Sequence, residues 1–164
     1  MYRSIADFQT DWGYEAEKTL NIFRALTEES LAQKVTEDGR SLGFIAWHIT
    51  LTLGEMLGQA GIKIDSPAGG EMPDLAEIIA AYEKGAQLVS EEIGKAWKDE
   101  ELGDDIPMYG MNWKKGITLY ALLAHQIHHR GQMTVLMRQA GLRVPGVYGP
   151  AKEEWVDYGM AAEA

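Results

Sequence analysis

Ile5, Phe8, Trp12, Ala16, Leu20 and Phe23 recur at three- and four-residue steps, the spacing that gathers side chains on one face of an α-helix. With Ser4 as its cap, this pattern predicts a first helix from residue 4 to Leu26, loosening at Thr27-Glu28-Glu29-Ser30. Asp38-Gly39-Arg40-Ser41 reads as a turn that ends in a second cap. Leu42 to Ala60 is then an almost wholly apolar helix, stopped by Gly61. A loop rich in Gly, Pro and Ser spans Ile62 to Met72, and Pro73-Asp74-Leu75 opens a third helix. Its stripe of Leu75, Ile78, Ile79, Tyr82, Ala86, Val89 and Ile93 opposes Glu77, Glu83, Lys84, Glu91 and Lys95, so one face is buried and the other solvated. Lys98 to Asn112 is an acidic connection with a short extended piece around Ile106-Pro107-Met108-Tyr109. A fourth helix runs from Trp113 to Ala140, ended by Gly141.

Four helices of this length with two longish connections predict an all-α fold, a four-helix bundle. Pro145, Gly146, Gly149 and Pro150 make Leu142 to Ala164 an irregular C-terminal tail. No internal repeat, low-complexity tract or composition shift divides the chain, and residues 1–164 read as one domain. In the fourth helix Leu119, Leu123, Ile127 and Val135 lie off the face that carries the histidines. A helix apolar on several sides is deeply buried or meets another chain, and a homodimer is expected.

Composition narrows the partners. A formal net charge of −10 and the lack of a basic stripe argue against nucleic acid. There is no cysteine, so neither a disulfide nor a thiolate of this chain is available for structure or catalysis. No apolar signal segment follows Met1-Tyr2-Arg3-Ser4, and no stretch approaches the ~20 apolar residues of a membrane span. A cytoplasmic setting and a small-molecule substrate are expected.

The chemistry concentrates in histidine. All four stand in two helices: His48 in the second, and His125, His128 and His129 in the fourth. On an α-helix, positions four apart lie about 40° apart on one face, whereas neighbours are about 100° apart. His125 and His129 therefore aim together, on a face shared with Leu122, Met133 and Leu136, and His128 points elsewhere, as a packing or interface residue would. Facing helices of a bundle commonly build metal sites, so His48, His125 and His129 form a three-nitrogen metal-site candidate with an open position. Spacing alone also fits hydrogen-bonded core histidines. Glu55, two turns beyond His48, reads either as a general base or ligand-orienting group near such a site, or as a solvent-facing glutamate. Arg130 and Gln132 either flank the site or make helix contacts.

His125-x-x-His128-His129-Arg130-Gly131-Gln132, followed by Val144-Pro145-Gly146-Val147-Tyr148-Gly149-Pro150, resembles the C-terminal signature of the DinB-like metalloproteins. His48 in Ala46-Trp47-His48-Ile49 resembles that family's ligand on the second helix. The resemblance covers the chain in helix order and spacing, and it implies a four-helix bundle whose metal ligands are His48, His125 and His129, with His128 outside the set. It further implies a divalent cation such as zinc or nickel and often a homodimer. For activity it implies a transferase or isomerase using a low-molecular-weight thiol as cosubstrate, or a metal-dependent hydrolase. The apolar fourth helix keeps a different class open, a metal-stabilised dimeric binding or stress-response protein without turnover.

Overall fold

The computed structural model describes residues 1–161. Helix α1 spans Ile5–Arg24, α2 Leu42–Gln59 and α3 Leu75–Ala96. Each starts at a side-chain cap. The Ser4 hydroxyl accepts from the Asp7 N–H at 3.3 Å, Ser41 from Phe44 at 3.1 Å, and the Asp74 carboxylate from Glu77 at 2.9 Å. Such caps satisfy backbone donors that the first turn leaves without partners. At the far end of α2, Gly61 takes a left-handed φ of 81°, and the Ile62 N–H returns to the Leu57 carbonyl at 2.8 Å. The first helix stops two residues before the expected Leu26, because the Ala25 and Leu26 amides turn back onto Ile22 and Phe23.

The fourth helix differs more. Between α3 and α4 lies a β-hairpin, β1 (Asp105–Met108) paired antiparallel with β2 (Met111–Lys114), with Ile106 opposite Trp113. Tyr109 and Gly110 join the strands at φ values of 52° and 78°, the two left-handed residues that a tight hairpin turn requires. The extended piece expected around Ile106 is therefore half of a hairpin, and Trp113 belongs to its second strand. Helix α4 is Lys115–Gln139 and has no side-chain cap. Instead, the Lys115 and Gly116 N–H groups donate to the Asp104 and Leu102 carbonyls at 3.0 and 2.9 Å. Gly116 is needed there, since a Cβ would stand 2.4 Å from the Tyr2 carbonyl oxygen. The tail is mostly irregular as expected, apart from a 3-10 segment at Lys152–Tyr158.

Helix α1 packs on α3 and α4, and α2 packs on the same two, so α1 and α2 occupy opposite corners of the bundle. Phe8, Ile22, Phe23, Leu42, Ile49, Ile78, Val89, Ile93 and Met133 are fully enclosed between them. Leu119 and Leu123 join the chain's own interior, leaving Val135 exposed and Ile127 half-buried among the four residues read as a second apolar face. No helix among the described residues is long and apolar enough to cross a membrane.

The interior also holds a polar seam. Arg130 on α4 is 1% exposed and forms an ion pair with Glu15 on α1, itself 7% exposed. The guanidinium also donates to the Glu15 carbonyl at 2.9 Å, to the Thr19 hydroxyl at 3.2 Å and to the Tyr148 hydroxyl at 2.7 Å. Tyr148 in turn donates to Glu15 at 2.9 Å, which ties the Val144–Pro150 tail to the core. One turn earlier on α4, the Gln126 side-chain oxygen accepts from the Tyr82 hydroxyl at 2.6 Å and from the Thr19 hydroxyl at 3.3 Å. Arg130 is thus a core residue at the meeting of α1, α4 and the tail.

Leaving one charge of a buried pair uncompensated costs about 3–5 kcal/mol. Glu15→Ala should lose stability of that order in urea unfolding. The double variant Glu15→Leu/Arg130→Met, with no charge left to desolvate, should lose markedly less.

Candidate metal centre

His48 from α2 and His125 and His129 from α4 meet where these two helices pack. One nitrogen of each lies within 4.8 Å of the others. The Nε2 atoms of His48 and His125 are 3.2 Å apart, and the three ring centroids stand 4.5 to 5.0 Å from one another. Two nitrogens bound to one tetrahedral cation at roughly 2.0–2.1 Å are separated by roughly 3.3 Å, so the first pair already has the required spacing.

The protonation state suits ligation. Burial lowers the pKa of all three imidazoles, and the neighbouring histidines and Arg40 lower them further. The effect is largest for His125, which burial, and then the surrounding positive charges, bring down to about 4. Its Nδ1 is buried without a hydrogen-bond partner among the described residues. For His129, Nδ1 lies 2.8 Å from the Gln132 side-chain oxygen. That oxygen can only accept, so the proton sits on Nδ1 and the lone pair is left on Nε2. A carbonyl partner of this kind fixes both the tautomer and the ring plane of a ligating histidine. The donor set fits a divalent cation.

The remaining expected residues fall around this trio. His128 is exposed and outside the group, as its helical direction required, and the Gln132 amide nitrogen reaches its Nε2 at 3.2 Å. Gln132 therefore spans two histidines, its oxygen toward His129 and its nitrogen toward His128. Of the two readings left open for Gln132 and Arg130, Gln132 flanks the site and Arg130 makes helix contacts. Glu55 is exposed, two turns or about 10 Å along α2 from His48. It is not part of the group and lines a separate cavity of about 470 Å³ with Leu51, Gly54 and Ser66. Its carboxylate acts instead on the Tyr109 phenol, whose pKa is pushed up to about 12 by burial and then by that charge.

Two further neighbours carry no signal in the sequence. Phe44 stacks on His48 with ring centroids 6.1 Å apart, and the Arg40 guanidinium lies 5.1 Å above the Phe44 ring. In sequence Arg40 belongs to a turn and Phe44 to an apolar run, and neither has a spacing that ties it to the histidines of α4.

The DinB family model matches residues 1–162. The chain belongs to the DinB family. An uncharacterized protein of Bacillus subtilis strain 168, YrdA, is 40% identical, over 99% of this chain and 98% of that one. A DinB-like protein from Bacillus cereus ATCC 10987 is 39% identical in its crystal structure. It superposes with a TM-score of 0.86, covering 90% of this chain and 100% of the other. YjoA of Bacillus subtilis, another DinB-like protein, is 17% identical with a TM-score of 0.67 over 86% and 97% of the two chains, a likeness of fold.

The depressed imidazole pKa values have one sign, which sets a pH dependence for the metal-free DinB chain. Unfolded histidines take up protons near pH 6.5, whereas the folded ones resist protonation until lower pH. The unfolded state then binds more protons, so stability is fully present above about pH 6.5 and declines as pH falls toward about 4. Urea unfolding of metal-free protein across this window should show that decline, and His125→Gln should flatten it.

Proposed function

We propose that this DinB protein is a divalent-metal-dependent enzyme, with zinc or nickel held by His48, His125 and His129, that transfers an external thiol to small electrophiles. The observation that carries the reading is the convergence of three neutral imidazoles from two helices, with the His129 proton parked on Nδ1 by Gln132. Three neutral nitrogens leave a net positive centre with an open position. When bound, such a cation lowers the pKa of a water or thiol placed on that position.

The chain's own contribution is to hold three lone pairs on one point and to keep the imidazoles free of protons. With no cysteine in the sequence, the sulfur has to arrive with the cosubstrate. In the reaction itself a C–S bond forms while the bond from carbon to its leaving group breaks, and the thiol proton passes to solvent. Hydrolysis is the same chemistry with water in place of the thiol. We also propose that the protein pairs as a homodimer through the outer face of α4, where Ile117 and Tyr120 are exposed.

Elemental analysis of protein purified without a polyhistidine tag should give about one divalent metal per chain. His125→Ala and His129→Ala should each lose it, and His128→Ala should keep it; retention in all three sinks the site. Metal-replete protein given a haloarene and a panel of cellular thiols should form the thioether, and the product should vanish after chelation. Ester cleavage without thioether formation would favour a hydrolase, and silence on both a binding protein. Sedimentation at micromolar concentration should show a dimer.

A further inference from the structure

A cavity of about 500 Å³ opens on the flank of the triad, lined by Val35, Gly39, Arg40, Ile45, Gln132, Val135 and Leu136. It adjoins the histidines through shared elements. Gln132 both lines it and holds His129, and Ile45 lies one turn before His48 on α2. The walls are apolar except at Gln132 and Arg40.

Arg24, Arg130, Arg138 and Arg143 each meet a carboxylate. Arg40, like Arg3 near the N-terminus, has none within ion-pair distance among the described residues, and of these two it is Arg40 that lines the cavity beside the histidines. The contact found for it is the face of Phe44, which leaves the hydrogen-bonding edge of the guanidinium free. In a chain of net charge −10, an unneutralised arginine over a ring stacked on His48 is a local positive spot at the mouth of the site.

We infer that this cavity binds the substrate of the triad, and that the substrate is an organic anion with a compact apolar body. Its carboxylate pairs with Arg40, in the forked geometry that guanidinium favours. The apolar body fills the space between Val35, Ile45, Val135 and Leu136, and the end beside Gln132 faces the histidines. Placing the reacting end at a metal rests on the function proposed above, but binding by Arg40 and the apolar walls does not.

The test uses calorimetric titration of the purified protein, its metal content measured, with 2-naphthoate and the neutral isostere 2-naphthamide. Wild type should prefer the carboxylate by about tenfold, the scale of one charge-assisted contact. Arg40→Gln should bring the two affinities within about twofold of each other without changing metal content, and Arg40→Lys should retain part of the preference. Val135→Asp, which puts a charge into the apolar wall, should weaken both ligands. Equal binding to wild type overturns the inference. So does a preference that survives Arg40→Gln, and its loss in His125→Ala/His129→Ala would then place the carboxylate on the cation. An Arg40-dependent preference in protein that holds no metal would leave the binding site standing and remove the metalloenzyme reading.

Discussion

A guanidinium in the middle of a helical bundle is tolerable only if every part of it is answered, and Arg130 constrains the rest of the structure for that reason. Desolvating the charge is costly, so Glu15 must approach from α1, Thr19 must complete the nearer edge, and Tyr148 must come in from the tail. These contacts set the rotation of α4 about its axis. Because His129 is the adjacent residue, turning Arg130 toward α1 turns His129 toward the opposite corner, where α2 supplies His48. The site is a geometric by-product of where the arginine has to point.

The seam also explains the pairing of an HHRGQ run with a distant Val-Pro-Gly-Val-Tyr-Gly-Pro tail. Tyr148 is largely exposed, yet its hydroxyl reaches both Arg130 and Glu15, and the guanidinium lies 5.4 Å from its ring centroid. The prolines around it limit the paths the tail can take toward that contact, and the glycines permit its turns. Within the run the side chains divide by direction. His129 turns toward α2, Arg130 faces α1, and Gln132 fixes the imidazole of His129 from one turn later.

Much of this could be read from residue order. The steps of the first and third helices, the Ser41 and Asp74 caps and the glycine stops are local signals, and local signals decide helix boundaries. The histidine trio was legible because α-helical spacing converts directly into direction. What stayed hidden depended on partners far along the chain. The start of α4 relies on carbonyls of Leu102 and Asp104 in place of a cap, so nothing at Trp113 or Lys115 announces it. The hairpin turn uses Tyr109-Gly110, which lacks the asparagine or aspartate that usually marks two left-handed residues. Arg40 and Phe44 gain meaning only once a turn and a helix are folded against α4. Glu55 shares a face with His48 by periodicity, but rise along the axis separates them by two turns.

The donors of the histidine centre come from positions 77 residues apart, at one helix–helix contact. In an unfolded chain, bringing His48 to His125 means closing that loop against its entropy, and a fluctuating helix offers at most the His125/His129 pair. Any cation gripped by all three therefore recognises the docked pair of helices and largely ignores the open chain. By mass action such an ion at a thousandfold excess over its Kd adds about 4 kcal/mol to the native state. Metal supply and folding yield thereby become one equilibrium: the amount of folded protein in a cell would track the free concentration of its ion.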